Sequence, residues 1–177
     1  MELHEEIEND MWTWLHEFVS VSNEFYDFAY PPCPFARAAL LGERVDVAVW
    51  QSGDVREFIR ERSIEMGERP DLGTRTMVFP PRTQFAWGIT DYVEALNAEL
   101  IPDNVFLNTG VAKTTASRYP GSNDPYFMVV ANSLDAVLRG SDALQKAAYY
   151  KDWPATHYEI VVERRTRMAE RYGRERS

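Results

Sequence analysis

The amino-acid sequence predicts one α+β (or α/β) domain over residues 1–177, with a small mixed four-stranded sheet packed by about five helices. Stretches with apolar residues at helical spacing alternate with four short runs rich in β-branched and aromatic residues. A chain of 177 residues, 45% of them hydrophobic, is long enough to bury one sizeable core. Neither an internal repeat nor a linker-like composition divides it.

An N-terminal amphipathic helix over about residues 1–30 is the clearest element. Its apolar side chains recur at spacings of three and four, the period of one helical face: Leu3, Ile7, Met11, Trp14, Phe18, Val21, Phe25 and Phe28. Because Trp14 and Phe18 lie in the middle of this stripe, we expect both to be buried against the sheet. Tyr30-Pro31 ends the helix, and residues 35–41 can add a short helical turn.

Four strands are predicted at residues 44–50, 74–79, 105–107 and 126–131. The last is a near-continuous apolar run, which is typical of a strand buried on both faces. Between the first two strands, Ser52-Gly53-Asp54 begins a second helix. Apolar residues from Phe85 to Leu100 keep helical spacing and predict a third.

Two further helical regions follow the fourth strand. Residues 132–135 can cap a helix that Gly140-Ser141-Asp142 is expected to break into two. A C-terminal basic helix is predicted over residues 155–177, where Thr156 and Glu159 have the spacing of a capping box.

The net charge of −9 is unevenly distributed along the chain. Residues 1–36 hold eight acids and no Lys or Arg, whereas residues 163–177 hold six Arg and three Glu. These segments are either two solvated helix faces or surfaces that attract each other, within one chain or in a homo-oligomer joined by the N- and C-terminal helices. The acidic total disfavours nucleic-acid binding.

Localisation and disulfides are constrained by composition. No apolar run approaches the roughly 18 residues of a membrane span. The acidic N-terminus is unlike a secretory leader, and a single cysteine excludes an internal disulfide. We therefore expect a cytoplasmic protein that does not enter a membrane.

The lone cysteine lies in the segment Tyr30-Pro31-Pro32-Cys33-Pro34, where prolines stiffen the backbone. Cys33 is the candidate catalytic residue, because a following helical turn and the nearby Arg37 would favour a thiolate. The alternative is a buried, inert cysteine in a proline-rich turn.

A second candidate site is the polar stretch 109–125, since loops of this length in compact domains are often functional. It supplies donors and acceptors at a strand end, where open sheets commonly bind ligands. The ligand-binding candidates are Arg37, Lys113, Arg118, Tyr119, Asn123 and Asp124. We expect Cys33 to line a pocket with part of this loop; a solvated loop is the alternative.

The segment Cys33-Pro34-Phe35-Ala36-Arg37 resembles the Leu-Cys-Pro-Phe-Ala motif of an uncharacterised bacterial protein family of unknown function. Trp12 and Trp14 before the motif, and residues 45–50 and 76–80 after it, follow the order of that family's helix and strands. The resemblance covers roughly residues 10–145 and implies a similar fold. Residues 108–111 contain no histidine where the family has Phe-His-Pro, so the resemblance implies no activity.

The sequence lacks the residues that several kinds of functional site require. His4, His16 and His157 do not have metal-ligand spacing, so no metal site is predicted and the sequence identifies no cofactor. The phosphate-loop glycines are missing, and no histidine adjoins a motif as a general base. The sequence favours a small binding or accessory protein, with a small anionic ligand or a protein partner near the Cys33 segment and the 109–125 loop. The alternative is a thiol-dependent enzyme that uses Cys33 on a small anionic substrate.

Overall fold

The structure, a computed structural model, describes residues 3–22, 24, 29–81, 83–85, 88–112 and 126–173. The strands are β1 (Val45–Val49), β2 (Thr74–Phe79), β3 (Val105–Ala112) and β4 (Tyr126–Ser133). The α-helices are α1 (Leu3–Trp14), α2 (Ala36–Leu41), α3 (Val55–Gly67), α4 (Ile89–Leu100), α5 (Leu134–Lys146), α6 (Ala155–Tyr158) and α7 (Arg164–Arg171). Two π-helical turns, Leu15–Val19 and Glu159–Glu163, continue α1 and connect α6 to α7.

The four strands form one mixed sheet in the order β1-β2-β4-β3. β1 and β2 are parallel, with Val47 opposite Thr76, and α3 makes the crossover that a parallel pair requires. β4 is antiparallel to both of its neighbours. The predicted α+β class with a mixed four-stranded sheet is confirmed.

One face of the sheet is covered by α3 and α4. Their apolar side chains pack on inward residues of β2, β3 and β4 in a cluster that contains Ile59, Met66, Met77, Phe79, Val93, Leu96, Leu100, Leu107 and Val129.

The Asp54 carboxylate caps α3 by accepting a hydrogen bond from the Glu57 N–H at 2.9 Å. The cap therefore confirms the predicted start of the second helix.

The opposite face is covered by α1 beside β1 and by α5 and α7 beside β3. Ile7, Met11 and Leu15 of the first helix pack on the sheet, and Phe106 packs among residues of α5 and α7. The expectation that Trp14 and Phe18 would be buried against the sheet holds only in part, because both are partly buried and Trp14 packs against the cluster on this face. The buried stripe has a strict spacing of four, which leaves these two rings at its margin, stacked on each other with centroids 6.2 Å apart.

Several predicted boundaries differ from the structure. α5 continues through Gly140 to Lys146 instead of breaking there. α6 begins after Pro154 without a side-chain cap, so the predicted capping box does not form. β3 is longer than expected and includes residues 109–112 of the predicted loop. The first helix ends at Val19, where Ser20 caps its π-helical turn, and not at Tyr30-Pro31 as predicted. Residues 1, 2, 23 and 25–28 of that predicted helix and residues 174–177 of the predicted last one lie outside the described residues.

Ion pairs of the C-terminal helix involve nearby glutamates. Arg164 pairs with Glu94 of α4 at 3.0 Å, and Arg167 lies 3.4 Å from Glu159 and 3.6 Å from Glu163. Attraction between the two ends of the chain therefore stays a prediction. None of the helices in the described ranges has both the length and the apolar content needed to cross a membrane.

Candidate functional site

The Cys33 turn, residues 30–35, closes on the end of the first helix. The Cys33 N–H donates to the carbonyl of Val19 at 3.0 Å, and the Ala36 N–H donates to the Cys33 carbonyl at 3.1 Å. These two bonds satisfy backbone groups between the π-helical turn and α2. The turn is thereby fixed as a folded connection rather than a free loop.

Gly140 of α5 lets the Cys33 turn lie against that helix. A Cβ at this position would lie 2.9 Å from the Phe35 ring, closer than such contacts allow. The absence of a side chain therefore serves close packing inside a continuous helix, and it does not end the helix. This contact explains why a glycine that suggested a break sits in the middle of α5.

The thiol of Cys33 is partly buried. Burial raises its pKa, although the backbone N–H groups of Phe35 and Ala36 act in the opposite direction. At neutral pH this environment favours the thiol over the thiolate, which is the nucleophilic form. The nearby Arg37, the other candidate on this segment, has an exposed side chain.

The remaining candidates fall outside the described residues. These are Lys113, Arg118, Tyr119, Asn123 and Asp124, so their distance from Cys33 stays a prediction. The described end of β4 beside them is attached to α1, because the Tyr126 hydroxyl donates to Asp10 Oδ2 at 2.7 Å.

Cys33 is expected to react with iodoacetamide more slowly than the same thiol in urea-unfolded protein at neutral pH. Both the raised pKa and the partial burial reduce the accessible thiolate. Because burial raises the pKa of the thiol, the folded protein should still react more slowly than the unfolded protein at a pH above the ordinary thiol pKa of about 8.5. Mass spectrometry of timed samples across this pH range measures both rates. Faster reaction in the folded protein at neutral pH would contradict this expectation and favour the thiol-dependent enzyme.

An aromatic cleft lies between the end of α5 and the start of α6. It has a volume of about 480 Å³ and is lined by Gln145, Ala148, Tyr150, Lys151, Trp153, Ala155 and Tyr158. The turn after α5 passes through Ala148 in a left-handed conformation (φ 57°), and Pro154 then starts α6. This reversal brings the rings of Tyr150 and Tyr158 to 5.4 Å between centroids.

Tyr149 connects the aromatic cleft to the Cys33 turn. Its hydroxyl donates to the Pro32 carbonyl at 3.4 Å, and its ring meets Tyr30 edge-on at 5.1 Å. On its other side the same ring lies 5.2 Å from Tyr150 and 5.6 Å from Trp153. The turn that the sequence singled out is therefore one ring away from the cleft.

A buried arginine lies behind the Tyr150 side of the cleft. Arg165, in α7, donates from Nη2 to Ser141 Oγ, and that oxygen also accepts a hydrogen bond from the Tyr150 hydroxyl at 3.4 Å. Desolvation lowers the pKa of Arg165, while Tyr150 and Tyr158 partly offset that effect. Among the described residues, Arg165 Nε has no hydrogen-bond partner.

Sequence patterns did not identify the aromatic cleft. The available signal was the density of rings in Tyr149-Tyr150 and Trp153 next to Tyr158, but tryptophan and tyrosine also serve as core anchors. The position of Arg165 gave no signal, because it lies in a run of arginines typical of a solvated helix face.

The described residues contain no group of three or more His, Cys, Asp or Glu side chains arranged to hold a metal ion. Comparison of the chain with protein-family models, curated proteins and solved structures finds no match.

Proposed function

We propose that this protein binds a small, flat aromatic molecule in the aromatic cleft, beside the Cys33 turn. The observation that carries the proposal is a concave site of about 480 Å³ walled by Tyr150, Trp153 and Tyr158. Ligand sites commonly occupy roughly 300–1,000 Å³ and combine apolar and aromatic walls with a few polar groups. Rings in edge-on and tilted arrangements can accommodate a further ring by the same contacts.

Polar groups of the cleft support binding in a defined orientation. The Tyr158 hydroxyl donates to Gln145 Oε1 at 3.1 Å, which holds both side chains in the cleft lining. The amide nitrogen of Gln145 and the ammonium group of Lys151 are further hydrogen-bond donors on the lining residues. Such groups would distinguish a ligand with an acceptor substituent from a plain hydrocarbon.

The Cys33 turn has a supporting role in this proposal. Tyr149 contacts both the turn and two rings of the cleft, so the turn helps to hold the cleft walls in place. The raised pKa of the Cys33 thiol weighs against the thiol-dependent enzyme. If residues 113–125 also contacted the ligand, they would enlarge this binding site.

We place this binding activity in the cytoplasm, because a chain with a lone cysteine and no internal disulfide suits a reducing compartment. A protein partner, or a second copy of the chain, would attach through the oppositely charged terminal helices. Sedimentation of the full chain at low and at high salt tests this attachment, which requires a salt-sensitive assembly.

Binding of 2-naphthoate, a flat bicyclic probe, is expected to quench tryptophan fluorescence, because Trp153 lines the cleft. Ala155→Phe fills the cleft from its exposed rim and should weaken binding at least tenfold. Ala143→Phe is the matched control, since Ala143 is also exposed but does not line the cleft. Isothermal titration calorimetry measures all three affinities. Equal affinity in the two variants, or no binding by the unmodified protein at millimolar probe, would refute the proposal.

A further inference from the structure

Among the described residues, two arginines are buried to the same extent and are paired differently. Arg75 and Arg165 each keep only 7% of their surface exposed. Arg75 donates to Asp46 Oδ2 at 2.5 Å and to Glu65 Oε2 at 2.9 Å. In the described part of the chain, no carboxylate lies within 4 Å of Arg165.

The pKa of Glu65, the glutamate that faces Arg75, is shifted by this contact. Burial raises the pKa of Glu65, but hydrogen bonds and charges from Arg62 and Arg75 outweigh this effect, and the pKa falls below its ordinary value. At Arg75 the chain therefore supplies compensating carboxylates. Arg165 is held by hydroxyl groups instead, which leaves its charge unbalanced.

The lack of a carboxylate at Arg165 is specific to this residue and not to its helix. The flanking Arg164 and Arg167 both pair with glutamates at distances of 3.0 to 3.6 Å. Glutamates are thus available on both sides of Arg165, and they are used by arginines that are more exposed. Taking a cation out of water costs free energy, and a neighbouring anion is needed to offset that cost.

The unbalanced charge of Arg165 adjoins the aromatic cleft. Ser141 Oγ joins the guanidinium to the Tyr150 hydroxyl, and Tyr150 lines the cleft. Lys151 adds a second cation at the cleft itself. A positive field from both residues therefore acts on a ligand held between the aromatic walls.

We infer that the ligand of the aromatic cleft is an aromatic carboxylate, and that Arg165, acting through the Ser141–Tyr150 side of the cleft, selects its negative charge together with Lys151 of the cleft lining. This inference rests on the proposed function. The rings determine that the ligand is flat, and the buried guanidinium determines its charge. A carboxylate in the cleft supplies the counter-charge that the described residues of the chain do not provide.

The test compares 2-naphthoate with 2-naphthamide, which has the same rings and no charge. The unmodified protein is expected to bind naphthoate at least tenfold more tightly. Arg165→Met keeps much of the apolar stem and removes the charge, so this preference should fall below twofold. Arg167→Met is the control, because this exposed arginine already pairs with glutamates, and it should keep the full preference.

Thermal unfolding separates selection of charge from a structural role of Arg165. Arg165→Met should not lower the melting temperature, because it removes a buried charge that lacks a carboxylate. Arg75→Met should lower it, since Asp46 and Glu65 lose their common partner. If Arg165→Met does not fold, Ser141→Ala replaces it, and loss of the hydroxyl that holds the guanidinium should weaken naphthoate binding at least threefold.

Four results would overturn the inference. Equal binding of naphthoate and naphthamide by the unmodified protein would remove the charge preference and leave the cleft as a ligand site. A preference that survives in Arg165→Met, or an unchanged naphthoate affinity in Ser141→Ala, would assign the selection elsewhere. Failure of both probes to bind would remove the proposed function together with the inference.

Discussion

Replacing Phe79 by Ala is expected to lower the free energy of unfolding by about 3–5 kcal/mol. This side chain is fully buried on β2, and four rings surround it with centroid distances from 5.3 to 6.4 Å: Trp50, Phe58, Phe85 and Phe127. Removing the ring leaves a cavity among neighbours that belong to different elements and cannot all move inward. Denaturant unfolding measures the loss.

Phe35→Ala provides the matched control for Phe79. Phe35 is 43% exposed, and its ring lies against Gly140 of α5. Because partial burial contributes roughly half of the 1.5–3 kcal/mol of a fully buried aromatic side chain, we expect a loss of about 1 kcal/mol. Equal losses in the two variants would show that the Phe79 cluster is not the principal core of the domain.

Asn97→Leu is expected to destabilise the protein by about 2–6 kcal/mol and to promote self-association. The fully buried amide of Asn97 receives a hydrogen bond from the Leu107 N–H at 2.7 Å and donates to the Leu107 carbonyl at 3.0 Å. Leu107 lies on β3, an edge strand. The Asn97 amide therefore makes the two backbone hydrogen bonds that a neighbouring strand would otherwise make with Leu107. Leucine fills the space but leaves two backbone groups unpaired, at about 1–3 kcal/mol each.

Ala95→Leu distinguishes loss of these hydrogen bonds from added apolar surface, because residue 95 lies on the exposed side of the same helix. Calorimetry reports the stability of both variants, and light scattering on heating reports their association. If Ala95→Leu associates as strongly as Asn97→Leu, exposed leucine and not the open strand edge is responsible.

Local sequence patterns were sufficient to predict the bounds of an element where one residue type has one physical consequence. β2 matched its predicted bounds, since a run of β-branched and apolar residues stopped by two prolines permits little else. The start of α3 was also predictable, because an aspartate before a helical pattern can cap it within one turn. The pattern of α1 gave the correct face, although it could not assign the depth of individual rings.

Gly140 and Arg165 show where local patterns were insufficient. A glycine in a polar stretch usually ends a helix, but the Phe35 ring, more than a hundred residues earlier in the chain, makes it the residue that allows two segments to touch. An arginine among arginines usually faces water, yet the packing of α7 against α5 buries this one beside Ser141. Both outcomes depend on contacts between distant segments.

The sequence by itself determined the α+β class, the order of the elements and the stiff Cys33 turn, because propensity, periodicity and proline geometry act over a few residues. Only the tertiary structure decided that the turn adjoins an aromatic cleft, that Asn97 covers the edge of β3 and that Arg165 is buried with no carboxylate of the described residues beside it. The physical reason is that burial, cavity shape and charge balance depend on which distant side chains meet, and no local pattern specifies those meetings.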